Sequence, residues 1–285
     1  MPWALVESLD LAVARRASGA LPGDRTAAGL GTGTELAQLR PYEVGDDVRQ
    51  IDPAASARTG LPHVRLHVPE RTLTTWLGVD VSASMGFGTA DRLKSDVAEG
   101  AALVLGRLAT RRAGRLAVLA FGAGGERLVP PRGSRPAIVG LTRVLAEGVA
   151  ADGGVDRHAL AGALRRMGRV ARQPGLVAIV SDFRDQDDWL RPMGSLAARH
   201  SVLAIEVRDP REATLPAVGR LAVVDPESGA HLEIDTSRPA VRERFAAIEA
   251  AGRAAVAREL RRLRVAHVVL STEGDWLREL GRRLR

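Results

Sequence analysis

The chain has no cysteine, which excludes disulfides, thiolate metal sites and cysteine nucleophiles and suits a reducing compartment. It has one lysine, Lys94, among 41 basic residues. With abundant Ala, Gly and Val, that skew toward arginine reads as a high-GC coding bias. Aromatic residues make up only 3% of the 285, so a core has to be built from Leu, Val, Ala and Ile, and platforms for base stacking are scarce. No apolar run is long enough to cross a bilayer, and Met1-Pro2-Trp3-Ala4 lacks the basic segment and apolar stretch of a signal peptide. The expectation is a cytoplasmic protein without a membrane anchor. No Gly-x-x-x-x-Gly-Lys-Ser/Thr loop occurs, so ATP hydrolysis would have to take place on another protein. Gly29-Leu30-Gly31-Thr32-Gly33 follows no apolar strand and carries no lysine, which argues against a nucleotide role.

What is present is a 45% hydrophobic content, enough for a substantial core, and a net charge of +7 with a pI near 11.1. Such charge can signal an acidic partner or nucleic acid. Two groups, Arg258, Arg261, Arg262 and Arg264, and Arg278, Arg282, Arg283 and Arg285, also suit solvated helix faces and helix carboxyl termini. Nucleic-acid binding is therefore the minor reading.

Along the chain, Pro2 to Ser18 has the spacing of a short amphipathic helix. Arg40, Arg49 and Arg58 interleave with Asp46, Asp47 and Asp52 as turn residues and an ion-pair network, before an alternating strand from His63 to Val68. A short apolar run from Trp76 predicts a buried strand ending at about Asp80. Asp91 then caps a helix to about Thr110, with an apolar face of Leu93, Val97, Ala101, Val104 and Leu108 and Lys94 at its edge. Arg115 to Phe121 reads as a strand paired in a hairpin with Glu126 to Val129. Further helices are expected at 134–147, 156–172, 188–200 and after Pro239, and a last one from about Asp275. Strands are expected at 176–180, 202–207 and 267–270, with a hairpin around 226–229. Strands alternating with helices predict a mostly parallel, doubly covered α/β sheet with one antiparallel edge strand.

At Asp80, Ser82 and Ser84 an oxygen-bearing side chain stands at every second position where a strand gives way to a loop. One carboxylate and two hydroxyls can then converge, as hard cations such as Mg2+ require. Here the chain resembles the von Willebrand factor A domain, whose metal-ion-dependent adhesion site opens with Asp-x-Ser-x-Ser. Arg40-x-Tyr42-x-x-Gly45-Asp46-Asp47-x-Arg49-x-Ile51-Asp52, with Ala57-Arg58 after it, is similar to the bacterial domain-of-unknown-function 58 family. Pro53 and Leu36 stand where that family usually has Trp and Phe.

The resemblance implies a von Willebrand A-like domain over 73–285 with a hairpin insertion near 215–235, preceded by a family-specific irregular segment, 1–72, packing on it. It also implies a metal site of Asp80, Ser82, Ser84 and Asp182, the last in Ser181-Asp182-Phe183. The usual threonine of the second metal loop is Val155 here, which has no oxygen to offer, so Asp152, Asp156 or a water would have to substitute. The implied cofactor is Mg2+, or Mn2+ or Ca2+. The implied function is a non-enzymatic, chaperone-like adapter whose metal takes an acidic residue of a client, working with a MoxR-type AAA+ ATPase. A Mg2+-dependent phosphatase with Asp80 as nucleophile is the enzymatic alternative. Ser82 stands where such enzymes carry their second carboxylate and cannot serve as acid or base near neutral pH, so no catalytic residue is assigned.

Overall fold

A computed structural model describes residues 35–68, 73–111, 114–122, 124–150, 158–184, 188–224 and 229–284. The chain divides into a small unit within Gly23–Thr72 and a larger one that includes Leu73–Arg285. The proposed helix at 2–18 lies outside the described residues.

In the small unit, β1 (Glu35–Pro41), α1 (Pro53–Thr59) and β2 (His63–Val68) follow one another, with a 3-10 turn at Val48–Gln50. The two strands pair antiparallel. Helix α1 starts where the chemistry favours a start: the Asp52 carboxylate accepts from the Ala55 amide, and Pro53 fills the first helical position. Asp52 also takes the Arg65 guanidinium at 2.7 Å, and Arg40 grips Asp46 with two nitrogens at 2.7 and 2.8 Å. The interleaved charges are thus partly caps and partly ion pairs. Strand β1 and helix α1 were not anticipated from the sequence.

The larger unit runs β3 (Thr74–Asp80), α2 (Lys94–Ala109), β4 (Arg115–Phe121), β5 (Arg127–Gly133), α3 (Ser134–Leu145), α4 (Ala159–Val170), β6 (Leu176–Ser181), α5 (Leu190–Ala197), β7 (Ser201–Arg208), β8 (Arg220–Val224), β9 (His231–Asp235), α6 (Pro239–Arg262), β10 (Ala266–Ser271) and α7 (Trp276–Leu284). Six strands form one sheet in the order β10-β7-β6-β3-β4-β5, parallel throughout except for β5 against β4. The first strand is central, the next two extend to one side, and the last three to the other. This is the doubly wound, von Willebrand A-like arrangement with an antiparallel edge. Strands β8 and β9 make a separate hairpin.

The central strands are apolar on both faces because helices cover both. Leu77, Val79, Leu116, Val118, Ala178, Val180 and Ile205 face α2, α3 and α7, with Val97, Leu105, Leu141 and Leu280 packed on them. Their alternates Trp76, Leu119, Phe121, Val177, Ile179 and Ala204 face α4, α5 and α6, against Leu164, Met167, Met193 and Leu260.

Three details depart from expectation. Helix α2 begins at Lys94, its entry held by the Asp96 carboxylate accepting from the Leu93 amide at 2.8 Å. Asp91 instead accepts from the Gly274 amide, and Leu93 is exposed rather than part of the core face. Strand β5 continues to Gly133 through Pro130 and Pro131, where its register against β4 shifts between Leu116 and Val118. A bulge on an edge strand tolerates residues without an N–H.

Candidate functional site

Chain direction across the sheet reverses between β3 and β6, and the crevice beyond the carboxyl ends of such a pair is where open α/β sheets bind ligands. Asp80 is the last residue of β3, and Asp182 follows the last residue of β6. Beyond Asp80 the chain turns through a 3-10 segment, Ala83–Gly86, and Val81 is pinned on both sides: its amide donates to Phe121, and its carbonyl accepts from Ala150. Gly122 is needed here, because a Cβ at that position would lie 2.8 Å from the Ser82 nitrogen. On the β6 side Phe183 has φ +53°. Its amide donates to the Ser181 hydroxyl, and its ring packs edge-on against Trp189 at 5.6 Å, which turns the chain sharply just after Asp182.

The sequence-predicted residues within the described chain do come together. The Asp80 carboxylate accepts from the Ser82 amide at 2.9 Å and from the Ser181 hydroxyl at 2.6 Å. The Ser82 and Ser84 hydroxyls lie 3.1 Å apart, and Ser84 hydrogen-bonds to Asp182. All of these side chains are buried. Val155, Asp152 and Asp156 lie outside the described residues.

The residue that the sequence reading misplaced is Lys94. It sits wholly inside the protein rather than at the edge of a helix face. Its ammonium is 2.7 Å from Asp182 Oδ2 and 2.6 Å from Glu212 Oε1. Helical periodicity treats a lysine as solvated and has no means of seeing carboxylates 88 and 118 positions away. The signal available was its singularity in a chain that otherwise uses arginine.

The two aspartates therefore differ. Burial would raise the Asp182 carboxyl, but Lys94, with Arg184 beside it, holds it below the ordinary carboxylate range. Burial, and then the Asp182 charge, push Asp80 up to about 6. No basic side chain meets Asp80 among the described residues; its partners are hydroxyls and an amide.

Around this pair the sequence reading missed a second layer. Arg253 of α6 donates to the Asp182 carbonyl and to Glu206, each at 2.7 Å. Glu206, buried on β7, also receives Arg208 through two nitrogens and His267 at 2.9 Å. Burial would raise Glu206, yet His267 and Arg208 bring it down to about 2. Asp209, at the end of β7, accepts from the Thr89 amide and hydroxyl and from Thr272, so it laces together loops that follow β3 and β10. Glu212, Arg253 and Glu249 line a hollow of about 510 Å³ walled by alanines of α6.

In terms of donor chemistry, Asp80, Ser82, Ser84 and Asp182 fit a hard divalent cation: buried oxygens, and one carboxylate, Asp80, that meets no compensating charge among the described residues. No three carboxylate or imidazole side chains converge among the described residues, where the hydroxyls of Ser82 and Ser84 are the oxygens beside the two carboxylates.

A family model described as protein of unknown function DUF58 matches residues 38–255. Uncharacterized protein Rv1480 of Mycobacterium tuberculosis and uncharacterized protein Mb1516 of Mycobacterium bovis are each 41% identical over 279 residues, 98% of this chain and 87% of the relative. Among solved structures, the conserved hypothetical protein BatB from Bacteroides thetaiotaomicron is 14% identical with a TM-score of 0.46, covering 74% of this chain and 97% of that one. The von Willebrand factor type A structure from Catenulispora acidiphila is also 14% identical, with a TM-score of 0.40, covering 74% and 41%.

Proposed function

The chain belongs to the DUF58 family, and from that premise we propose that it is a non-enzymatic protein-interaction module that docks partners at the crevice between β3 and β6. The observation that carries this reading is Asp80. It is a buried carboxylate at the switch point of the sheet, without a cationic partner among the described residues, beside two hydroxyls 3.1 Å apart. Asp80, Ser82, Ser84 and Asp182 would hold Mg2+, Mn2+ or Ca2+. Such a cation, when bound, supplies an open electrophilic position for an acidic side chain of a partner.

The protein's own residues do the rest. The Ser82 amide and the Ser181 hydroxyl fix the two oxygens of Asp80, and the sharp turn at Phe183 fixes Asp182. Those same donors leave Asp80 poorly placed as a nucleophile, and no carboxylate stands at Ser82 to act as acid and base. The reading is therefore binding rather than catalysis. A MoxR-type AAA+ ATPase is the partner implied by the family resemblance, supplying the hydrolysis for which this chain has no loop, in the assembly or maturation of client complexes.

The test is quantitative capture of a MoxR-type ATPase or an acidic client on the immobilised chain, with Mg2+ or with chelator, beside the Asp80→Ala variant. Retention should fall about ten-fold or more on chelation and equally in the variant. A partner retained unchanged in both arms would place the interface elsewhere on the molecule.

A further inference from the structure

We propose that Lys94 is the built-in cation of this crevice: it fixes Asp182 in place and weakens the hold of the crevice on any divalent ion. This deepens the docking reading above and rests on it. Three observations converge. Lys94 is the only lysine of the chain and is fully buried. Its ammonium contacts two carboxylates, Asp182 and Glu212, at 2.7 and 2.6 Å. It opens helix α2, where the aligned peptide dipoles disfavour a positive charge, so the carboxylates rather than the helix account for its position. A compact ammonium can sit between two acidic groups in a closed space, whereas a planar guanidinium needs a wider slot.

The consequence is a division of labour among the acidic groups. Glu212 has Lys94, Arg184 at 3.2 Å and Arg253 at 3.4 Å. Asp182 has Lys94 on Oδ2 and the Arg184 amide on Oδ1. Both are compensated by the protein itself, and among the described residues Asp80 meets no such cation. The crevice thus stays assembled with no divalent ion in it. An incoming ion meets the Asp80 carboxylate and two hydroxyls, with the fixed positive charge of Lys94 bound to Asp182 Oδ2. Lys94 is a positioning residue that sets affinity and touches no partner.

The experiment measures Mn2+ binding to the full chain by the signal of free Mn2+ in electron paramagnetic resonance. Lys94→Gln removes the charge and leaves a shorter, neutral side chain whose amide can still donate a hydrogen bond. It should bind Mn2+ at least ten-fold more tightly than the native chain, and its unfolding temperature should rise with Mn2+ by more than the native chain's does. A lysine with only a packing role would lower that temperature equally with and without Mn2+. Equal Mn2+ affinity in variant and native chain, or binding in neither, overturns the proposal. If in the equal case Asp80→Ala abolishes Mn2+ binding, the docking reading survives that failure. Binding in Lys94→Gln but not in the native chain supports the proposal while removing the metal from the docking reading. Should Lys94→Gln not fold, Glu212→Gln carries the test. Leaving the ammonium to Asp182 alone should weaken Mn2+ binding about three-fold or more, whereas Glu249→Gln, which takes a charge from the same network without touching Lys94, should leave it within about two-fold. Equal effects of those two variants overturn the proposal.

Discussion

At the scale of single residues, ionisable side chains in this protein are valued by what stands beside them. Glu206 shows it most simply. Its folded pKa of about 2 lies below the ordinary 4.5, so the stability it contributes is complete above pH 4.5 and is lost as pH falls through about 2. That shift corresponds to about 3 kcal/mol. Glu206→Gln should therefore lower unfolding stability by about 3 kcal/mol at pH 7 and flatten the acid slope between pH 4.5 and 2 in urea titrations. An unaltered slope would mean that Arg208 and Arg253 are not its true counter-charges. None of this was legible in the sequence, where Glu206 is one acidic residue inside the apolar run of β7. Asp80, Ser82 and Ser84, by contrast, form a local pattern, an alternation of oxygens at a strand end, whereas Asp182 is named in the sequence only through the family resemblance.

Elements were read with uneven success, and the reasons are physical. The parallel strands declare themselves as unbroken apolar runs, since both faces are covered. Helices α2 to α7 were found, with ends displaced by a few residues because caps are local choices; the Asp96 carboxylate, not Asp91, holds the start of α2. Strand β1 escaped because Glu35-Leu36-Ala37-Gln38-Leu39-Arg40 has no two-residue alternation. Helix α1 escaped although Asp52-Pro53 carries both of its start signals, since seven residues are too few to show a period. The junction of β4 with the loop after β3 makes a prediction at this scale. Gly122→Ala would push its Cβ into the Val81–Ser82 backbone, costing about 1–3 kcal/mol in denaturant unfolding. It should also weaken Mn2+ binding, because Ser82 is displaced. Loss of stability with binding intact would separate the turn from the site.

At the scale of the molecule, the six-stranded sheet of the larger unit separates two apolar layers, and the layers should behave independently. Leu105 and Leu164 are buried on opposite faces. Each change to Ala should cost about 2–5 kcal/mol, and the double variant should lose the sum within about 0.5 kcal/mol. A large deviation from additivity in equilibrium unfolding would show that the layers relax through the strands between them. The positive charge of the chain is also partly neutralised within the helices that carry it: Arg262 pairs with Glu259 and Arg283 with Glu279. No helix among the described residues is long and apolar enough to cross a membrane.

The antiparallel strand at the rim carries one more consequence. Pro130 and Pro131 place two successive residues without a donor on the outermost strand, beside an irregularity in its pairing. A stray extended segment arriving there finds no continuous ladder to copy, so growth of the sheet into fibrous polymers through that border is discouraged by the chain's own covalent chemistry.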